Sequence, residues 1–435
     1  MEPLQHAIAD ARSRYVAANP LSHAADDKAE RYLPGGNTRS VLHFNPFPLT
    51  MVGGEGAELT DLDGHRYVDF VGEYSAALFG HSNEIVKAAI REALDSGVSM
   101  GAPTPYEREL ATLLCERYPS LEQVRFCNSG TEANLMALST ARVITARSKM
   151  MVFNEAYHGG VIKFLGGGCR LNVPFDFVLA EYNDIDGTAA LIDRFGDELG
   201  AVIVEPILGA GGNIQGNRKF LQMLRDKTED FGALLIFDEV KTARLGPGGV
   251  QGMVGINADL TTMGKFIGGG LPTGAFGGSK QVMQHFNPKQ AGALAHAGTF
   301  NNNICSMAAG CAAMRDVYTP QRAQEFLDWS EAFRLSLNEM FGSKDVPMYA
   351  NGLGSMIAIH FNKEPTKRPS DITPGCQSLR PLLHMELLLD GILIVGRGDL
   401  FLSLPMDESH LAAAHSSFEK FADQYKPLIE QVLAA

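Results

Sequence analysis

Residues 233–240 read Ala-Leu-Leu-Ile-Phe-Asp-Glu-Val, an unbroken apolar run that ends on two acids. A strand with one wet face alternates polar and apolar side chains, whereas a run without alternation is buried on both faces, as in a parallel sheet covered by helices. Four further blocks have this character: QVRF ending at Phe126, KMMVF ending at Phe153, AVIVE ending at Glu205 and DLTTM ending at Met263. Helical stretches such as 132–147 and 220–231 separate them. The repetition predicts an α/β fold with a mainly parallel sheet. Glycines cluster at the block ends, at 159–160, 166–168, 211–212, 268–270 and 277–278, where an open α/β sheet places its ligand.

Outward from this centre the pattern changes. Ile8, Ala11, Tyr15 and Val16 recur at helical spacing and predict a helix over about 4–18, followed by a polar stretch ending at Gly35 and Gly36. Between Phe47 and Phe70 the chain alternates, with breaks at Gly54-Glu55-Gly56 and Leu62-Asp63-Gly64-His65, as in an antiparallel meander. Beyond about Gly310, helical patterns at 320–341 and 410–434 flank the strand-like MIAIHF and ILIV, with a polar linker at 362–373. This divides the chain into an N-terminal segment (1–70) that packs with the small domain, a large domain (71–310) and a small α+β domain (311–435).

At 435 residues the chain buries roughly three quarters of its extended surface, and 45% hydrophobic with 20% charged residues is ordinary globular composition. Lys and Arg total 37 against 50 Asp and Glu, a net charge of −13, which offers no attraction to nucleic acid or to an anionic membrane. Small molecules or protein partners are expected instead. Six scattered cysteines without a CxxC pair read as reduced thiols of a cytoplasmic protein. The N-terminal residues mix acids and bases without an apolar core, so they do not read as a secretory signal, and no apolar run approaches the ~20 residues of a membrane span.

Three local settings carry chemistry. In Phe126-Cys127-Asn128-Ser129-Gly130-Thr131-Glu132 a strand meets a helix N-terminus, whose free N–H groups and two hydroxyls suit a phosphate; a plain helix cap at Ser129 or Thr131 remains the alternative. No GxxxxGK[ST] occurs, so a nucleoside triphosphate is not the evident owner of that phosphate. Asp238 ends a buried strand, where an acid needs a cationic partner. Lys265, in Thr261-Thr262-Met263-Gly264-Lys265-Phe266-Ile267-Gly268-Gly269-Gly270, sits between an apolar strand and a glycine run. Together they are the parts that hold pyridoxal phosphate as a Schiff base: a phosphate cup, a carboxylate that keeps a ring nitrogen protonated, and a lysine. The 12 histidines include no HExxH and the chain has no GxSxG, which argues against a metal hydrolase or a serine hydrolase.

These motifs, with YHGG at 157–160, VEP at 204–206, TTMGKFIGGGLPTGAFGG at 261–278 and HAGTFNNN at 296–303, resemble those of the class III aminotransferases of pyridoxal-phosphate fold type I. The resemblance is strong from Arg31 to Gly310, weaker beyond, and most specific to β-phenylalanine (β-amino acid) aminotransferases and glutamate-1-semialdehyde aminomutase-like chains. It implies a large domain built on a seven-stranded sheet. Lys265 and Asp238 would be catalytic, with Asp238 on the pyridine nitrogen, Val240 on one ring face and Tyr157 on the other. It further implies that Ser129, Gly130 and Thr131 bind the phosphate, that Glu205 lines the cofactor pocket or acts as a structural acid, and that Thr299 reaches the cofactor of the neighbouring subunit in a homodimer.

A transaminase binds two carboxylates in turn, and guanidinium matches each. Arg39, in Pro34-Gly35-Gly36-Asn37-Thr38-Arg39, resembles the arginine that takes a β-amino acid's carboxylate; Arg397, in Val395-Gly396-Arg397-Gly398-Asp399, resembles the one used for the second carboxylate. Asp399 beside Arg397 leaves its partner open, either substrate or that acid. Asn37-Thr38-Arg39-Ser40 departs from the Ser-Pro-Val-Arg type run of aminomutases, whose C-terminal domain also tends to carry an acid where this chain has Val395-Gly396-Arg397-Gly398. Both favour transfer from a β-amino acid to a 2-oxo acid over the aminomutase or another ω-amino acid or amine transaminase. Val41, Phe44, Phe47 and Tyr74 either line a side-chain pocket or pack the core.

Overall fold

The computed structural model describes residues 2–434. The helix Glu2–Ala18 buries Leu4, Ile8, Ala11 and Tyr15, the expected stripe, with Val16 at its margin. Strands β1 (Met51–Glu55), β2 (Glu58–Asp61) and β3 (Arg66–Asp69) form the antiparallel meander. The central sheet takes β4 (Gln123–Cys127), β5 (Lys149–Phe153), β6 (Asp176–Ala180) and β7 (Leu199–Val204). A two-residue hairpin, β8 (Ile207–Leu208) and β9 (Ile214–Gln215), follows, and β10 (Leu234–Asp238), β11 (Leu260–Gly264) and β12 (Gly274–Gly278) complete the sheet.

The sheet has seven strands in the order β4-β12-β11-β10-β7-β5-β6. Only β12 runs antiparallel to its neighbours. Each residue of β7, β11 and β12 is buried, as unalternating blocks require. The helix Gly130–Thr145 lays Ala133, Ala137, Leu138 and Ala141 on the sheet, and Arg218–Phe231 lays Phe220, Leu221 and Leu224. Gly232 ends the latter with φ 64°, a left-handed cap that costs glycine little.

The block pattern identifies β4, β5, β7, β10 and β11 and passes over β6 and β12. β6 is the sheet's edge, where burial alternates instead of running continuously. β12 is Gly-Ala-Phe-Gly-Gly, a sequence of low strand propensity. Its glycines are required by close approach: a methyl group on Gly274 would lie 2.1 Å from the Ser129 carbonyl oxygen, and one on Gly278 2.1 Å from that of Asp259.

The C-terminal region adds β13 (Tyr349–Leu353), β14 (Met356–His360), β15 (Ile392–Leu393) and β16 (Asp399–Phe401). β15 pairs with β3, so the N-terminal meander and the C-terminal region share a sheet, and ILIV contributes only two residues to it. The helix Pro374–Leu389 has no counterpart in the sequence reading. It buries Leu379, Leu382, Leu383, Met385, Leu387 and Leu388, so it shows no single apolar stripe, and Pro381 within it reads as a breaker. Arg14 and Tyr425 both engage its Glu386, tying the first and last helices to it.

Candidate active site

β4 delivers the chain to the helix Gly130–Thr145 with Ser129 as the extended N-cap, its Oγ accepting from Glu132 N at 3.2 Å. The cap reading therefore holds for Ser129, and its hydroxyl proton is still free to be donated. Among the described residues the Gly130 and Thr131 N–H groups have no backbone acceptor, as expected of a first helical turn. Thr131 Oγ1 accepts from Gly160 N at 3.3 Å, drawing the Tyr157–Gly160 loop over the helix start. A methyl group on Gly130 would stand 2.7 Å from Val240 Cγ1, and one on Gly159 2.4 Å from Thr131 Oγ1. The result is a tight cup of N–H donors at the positive end of a helix dipole, which fits a phosphate.

Asp238, at the end of β10, is only 4% exposed. Its Oδ2 accepts from Asn134 Nδ2 at 2.8 Å and lies 2.7 Å from His158 Nδ1, while Oδ1 accepts from Val240 N at 3.0 Å. Asn134 is itself held, donating to the His158 carbonyl and accepting from Thr262 Oγ1 at 2.6 Å. A buried carboxylate so oriented fits a protonated ring nitrogen. Asn134 lies two residues beyond the Asn128–Glu132 run, and His158 and Thr262 lie inside YHGG and TTMGK, but spacing alone gives them no role.

Lys265 follows β11 with φ 57°, a left-handed conformation that costs a non-glycine residue about 1 kcal/mol and occurs where a site demands it. Burial pulls its ammonium down to about 7, assisted by the positive charge of Lys241 and opposed by Asp238. An amine of this kind is about half neutral at pH 7, and the neutral fraction is nucleophilic. Glu205, 4% exposed, accepts from Tyr157 N and Gly209 N, each at 2.9 Å, and burial holds its carboxyl above the ordinary value. It thus fixes the backbone behind Tyr157, a residue that is 42% exposed and so is not plain core.

At the cleft mouth, Arg39 pairs with Glu73, and its guanidinium lies 5.2 Å from the Tyr74 ring centroid. Arg397 Cζ lies 5.9 Å from the same ring, and its Nη2 stands 2.5 Å from Asp399 Oδ2. That approach makes no directed hydrogen bond, and both oxygens of the buried Asp399 lack one. Glu73, Tyr74 and Ser75 all have positive φ, of 47°, 56° and 79°. Buried Arg244 clamps this turn, donating to the carbonyls of Ser75 and Leu402. Arg244 ends the 3-10 turn Thr242–Arg244, and neither it nor Glu73 carries a local sequence signal.

Val41, Phe44 and Tyr74 line a cavity of about 800 Å³ that also reaches Asn37, Glu73 and Gly396, and the Tyr74 hydroxyl donates to the Val41 carbonyl at 2.7 Å. Lys265, Asp238 and Tyr157 are not among its walls, so it adjoins the mouth of the cleft and not its floor. Phe47 belongs to the core: it is 1% exposed, stacks on His23 and packs against Tyr15. Thr299 lies on an exposed loop beside Phe300, which is 63% exposed. Thr299 makes no hydrogen bond to Ser129, Gly130 or Thr131 of its own chain among the described residues, although Asn301 two residues on accepts from Asn128 Nδ2 at 3.0 Å.

Residues 42–420 match the family Aminotransferase class-III. The chain is 46% identical over 418 residues to the Beta-phenylalanine transaminase of Variovorax paradoxus, covering 95% of this chain and 96% of that one. The crystal structure of a beta-phenylalanine aminotransferase from the same organism superposes with a TM-score of 0.96 at 44% identity, covering 98% and 99% of the two chains. The Glutamate-1-semialdehyde 2,1-aminomutase 2 of Brevibacillus brevis is 39% identical over 368 residues, 79% of this chain and 85% of that one. With a seven-stranded fold type I sheet and a cleft that fits the cofactor, the chain belongs to the class III aminotransferases, enzymes that work on amino and keto acids with pyridoxal phosphate.

Proposed function

We propose that the chain transfers the amino group of a β-amino acid, with β-phenylalanine as the representative donor, to a 2-oxo acid in a ping-pong cycle, working as a cytoplasmic homodimer. The observation that carries this reading is the pair of guanidiniums, Arg39 and Arg397, set on the one Tyr74 ring at the cleft mouth. The 46% identity to the Variovorax paradoxus transaminase supports the donor class. Pyridoxal phosphate supplies an electron sink and a carrier for the amine.

In this reading Lys265 binds the cofactor and moves the proton at the substrate carbon, and Asp238 keeps the ring nitrogen protonated, oriented by Asn134 and His158. Ser129, Gly130 and Thr131 hold the phosphate, Val240 and Tyr157 bracket the ring, and Glu205 positions Tyr157 through its N–H. Thr299 completes the cup of the partner subunit. Arg39 takes the carboxylate of the β-amino acid and Arg397 the second carboxylate, each exchanging Glu73 or Asp399 for substrate. The donor leaves as a 3-oxo acid and the acceptor as its α-amino acid.

A panel of half-reactions tests this, following the bound cofactor's absorbance with β-phenylalanine, 3-aminobutyrate, α-amino acids of the glutamate type and 4,5-diaminovalerate. Loss of the visible band with the β-amino acids, restored by 2-oxoglutarate or pyruvate, is expected. Response to diaminovalerate alone, with isomerisation of the semialdehyde, would instead establish the aminomutase reading that the 39% identical relative favours.

A further inference from the structure

The cleft contains a second lysine that the proposed chemistry does not use. β10 and β11 are parallel with Asp238 opposite Thr262, and Lys241 and Lys265 each stand three residues beyond that pair. Each stands at a short 3-10 turn, Thr242–Arg244 or Lys265–Gly268, so neighbouring strands bring the two lysine backbones to matching height. Among the described residues Lys241 Nζ forms no hydrogen bond or ion pair within 4 Å, and the residue is only partly exposed. It lies 4.7 Å from the centroid of the Phe401 ring. A methyl group on Gly209 would be 2.6 Å from it and 3.0 Å from Glu205 Oε2, so ammonium and carboxylate converge on one point of the wall.

We propose that Lys241 is a positioning residue for Lys265: its ammonium, delivered alongside by the strand register, opposes a positive charge on the Lys265 nitrogen and so keeps that nitrogen ready to take the cofactor. The proposal rests on Lys265 being the residue that binds it. Asp238, from the end of β10, works against this effect, and Arg39 and Arg397, from the N-terminal loop and the turn before β16, work with it. Lys241 is in turn faced by Asp399 and Glu205, which favour its charge, and by Arg397 and Arg244, which oppose it. Burial brings Lys241 down to about 8, so its assistance is present below about pH 8 and fades above. Removing a neighbouring cation makes the Lys265 nitrogen hold its proton to higher pH.

The experiment titrates the visible absorbance of the cofactor-loaded, substrate-free protein against pH for the parent chain, Lys241→Met and Lys241→Arg. Lys241→Met raises the midpoint by about one pH unit, tenfold in proton affinity, and shifts uptake of pyridoxal phosphate by the apoprotein upward in the same sense. Lys241→Arg, which keeps the charge, returns the midpoint to the parent value. Should Lys241→Met fail to fold, Lys241→Gln removes the charge with a polar chain and carries the same expectation. An unchanged midpoint in the uncharged variant overturns the proposal, as does a defect confined to a raised KM for a dicarboxylic acceptor, which would make Lys241 a carboxylate ligand. A parent chain that forms no visible Schiff-base band with pyridoxal phosphate overturns the assignment of Lys265 together with the proposal.

Discussion

Asp238 and Arg39 stand at opposite ends of one cleft and are held in opposite ways. Asp238 is nearly inaccessible, and three groups on three separate elements, Asn134, His158 and the Val240 N–H, fix both of its oxygens. Arg39 is 42% exposed and rests on Glu73, itself 59% exposed, with the face of Tyr74 beside it. A cofactor that stays bound favours groups locked before it arrives, since pre-organisation avoids reorientation during the reaction. On the proposed function the mouth takes one carboxylate and then another, which favours cations whose resting partners can be exchanged. Buried ion pairs resist such exchange and exposed ones do not, because water screens the exposed charge at every stage.

The largest effects should fall on the locked end. On the proposed function Lys265→Ala would remove both the attachment point and the proton carrier, and kcat should drop roughly 10³-fold or more in a steady-state assay. Asp238→Asn keeps the shape but removes the charge, so a loss of roughly 10²–10³ in kcat with little change in KM is expected. Full turnover by either variant would break the comparison at its firm side.

Much of that end is legible in the sequence, because it is built where strands stop. The unalternating blocks mark β10 and β11, and Asp238 and Lys265 stand at or just beyond their ends. The glycine-rich run after Lys265 and the Ser-Gly-Thr after β4 mark the cup. The supports of these residues are not legible, since Asn134, His158 and Thr262 meet Asp238 only after helix, loop and strand have assembled. The mouth is harder still. Glu73 presents itself through three consecutive left-handed residues, a conformation no residue type in Glu-Tyr-Ser announces, and the clamp that holds it is Arg244, far along the chain. Phe47, for which the sequence left pocket and core equally open, is fastened into the core by His23 and Tyr15.

Arg397 lies between the two extremes, with its side chain 26% exposed beside an Asp399 that is 1% exposed. Arg397→Gln should raise KM for the carboxylate it serves by roughly 10–100-fold, the value of a charge-assisted hydrogen bond of about 1.5–3 kcal/mol. The same change leaves Asp399 buried without its cation and should lower the unfolding midpoint in denaturant. Adding Asp399→Asn separates the two effects: stability should recover and KM should not. If both recover, Arg397 serves Asp399 and not substrate.

The smallest effect sharpens the comparison most. Glu73→Gln keeps the length and hydrogen-bonding capacity of the side chain and leaves the left-handed turn to its existing clamp, so the backbone under Arg39 should not move. What it removes is the resting charge partner. An exposed pair is worth about 0.2–1 kcal/mol, so freeing Arg39 should lower KM for a β-amino acid donor by at most about fivefold, with kcat unchanged. Because the competing charge is solvent-exposed, the advantage should shrink as ionic strength rises and the Debye length falls to about 3 Å at 1 M salt. A KM that does not respond to Glu73→Gln at low salt, together with one that does not respond to loss of Arg39, would make the pair a surface ornament and leave Arg397 as the carboxylate site at the mouth.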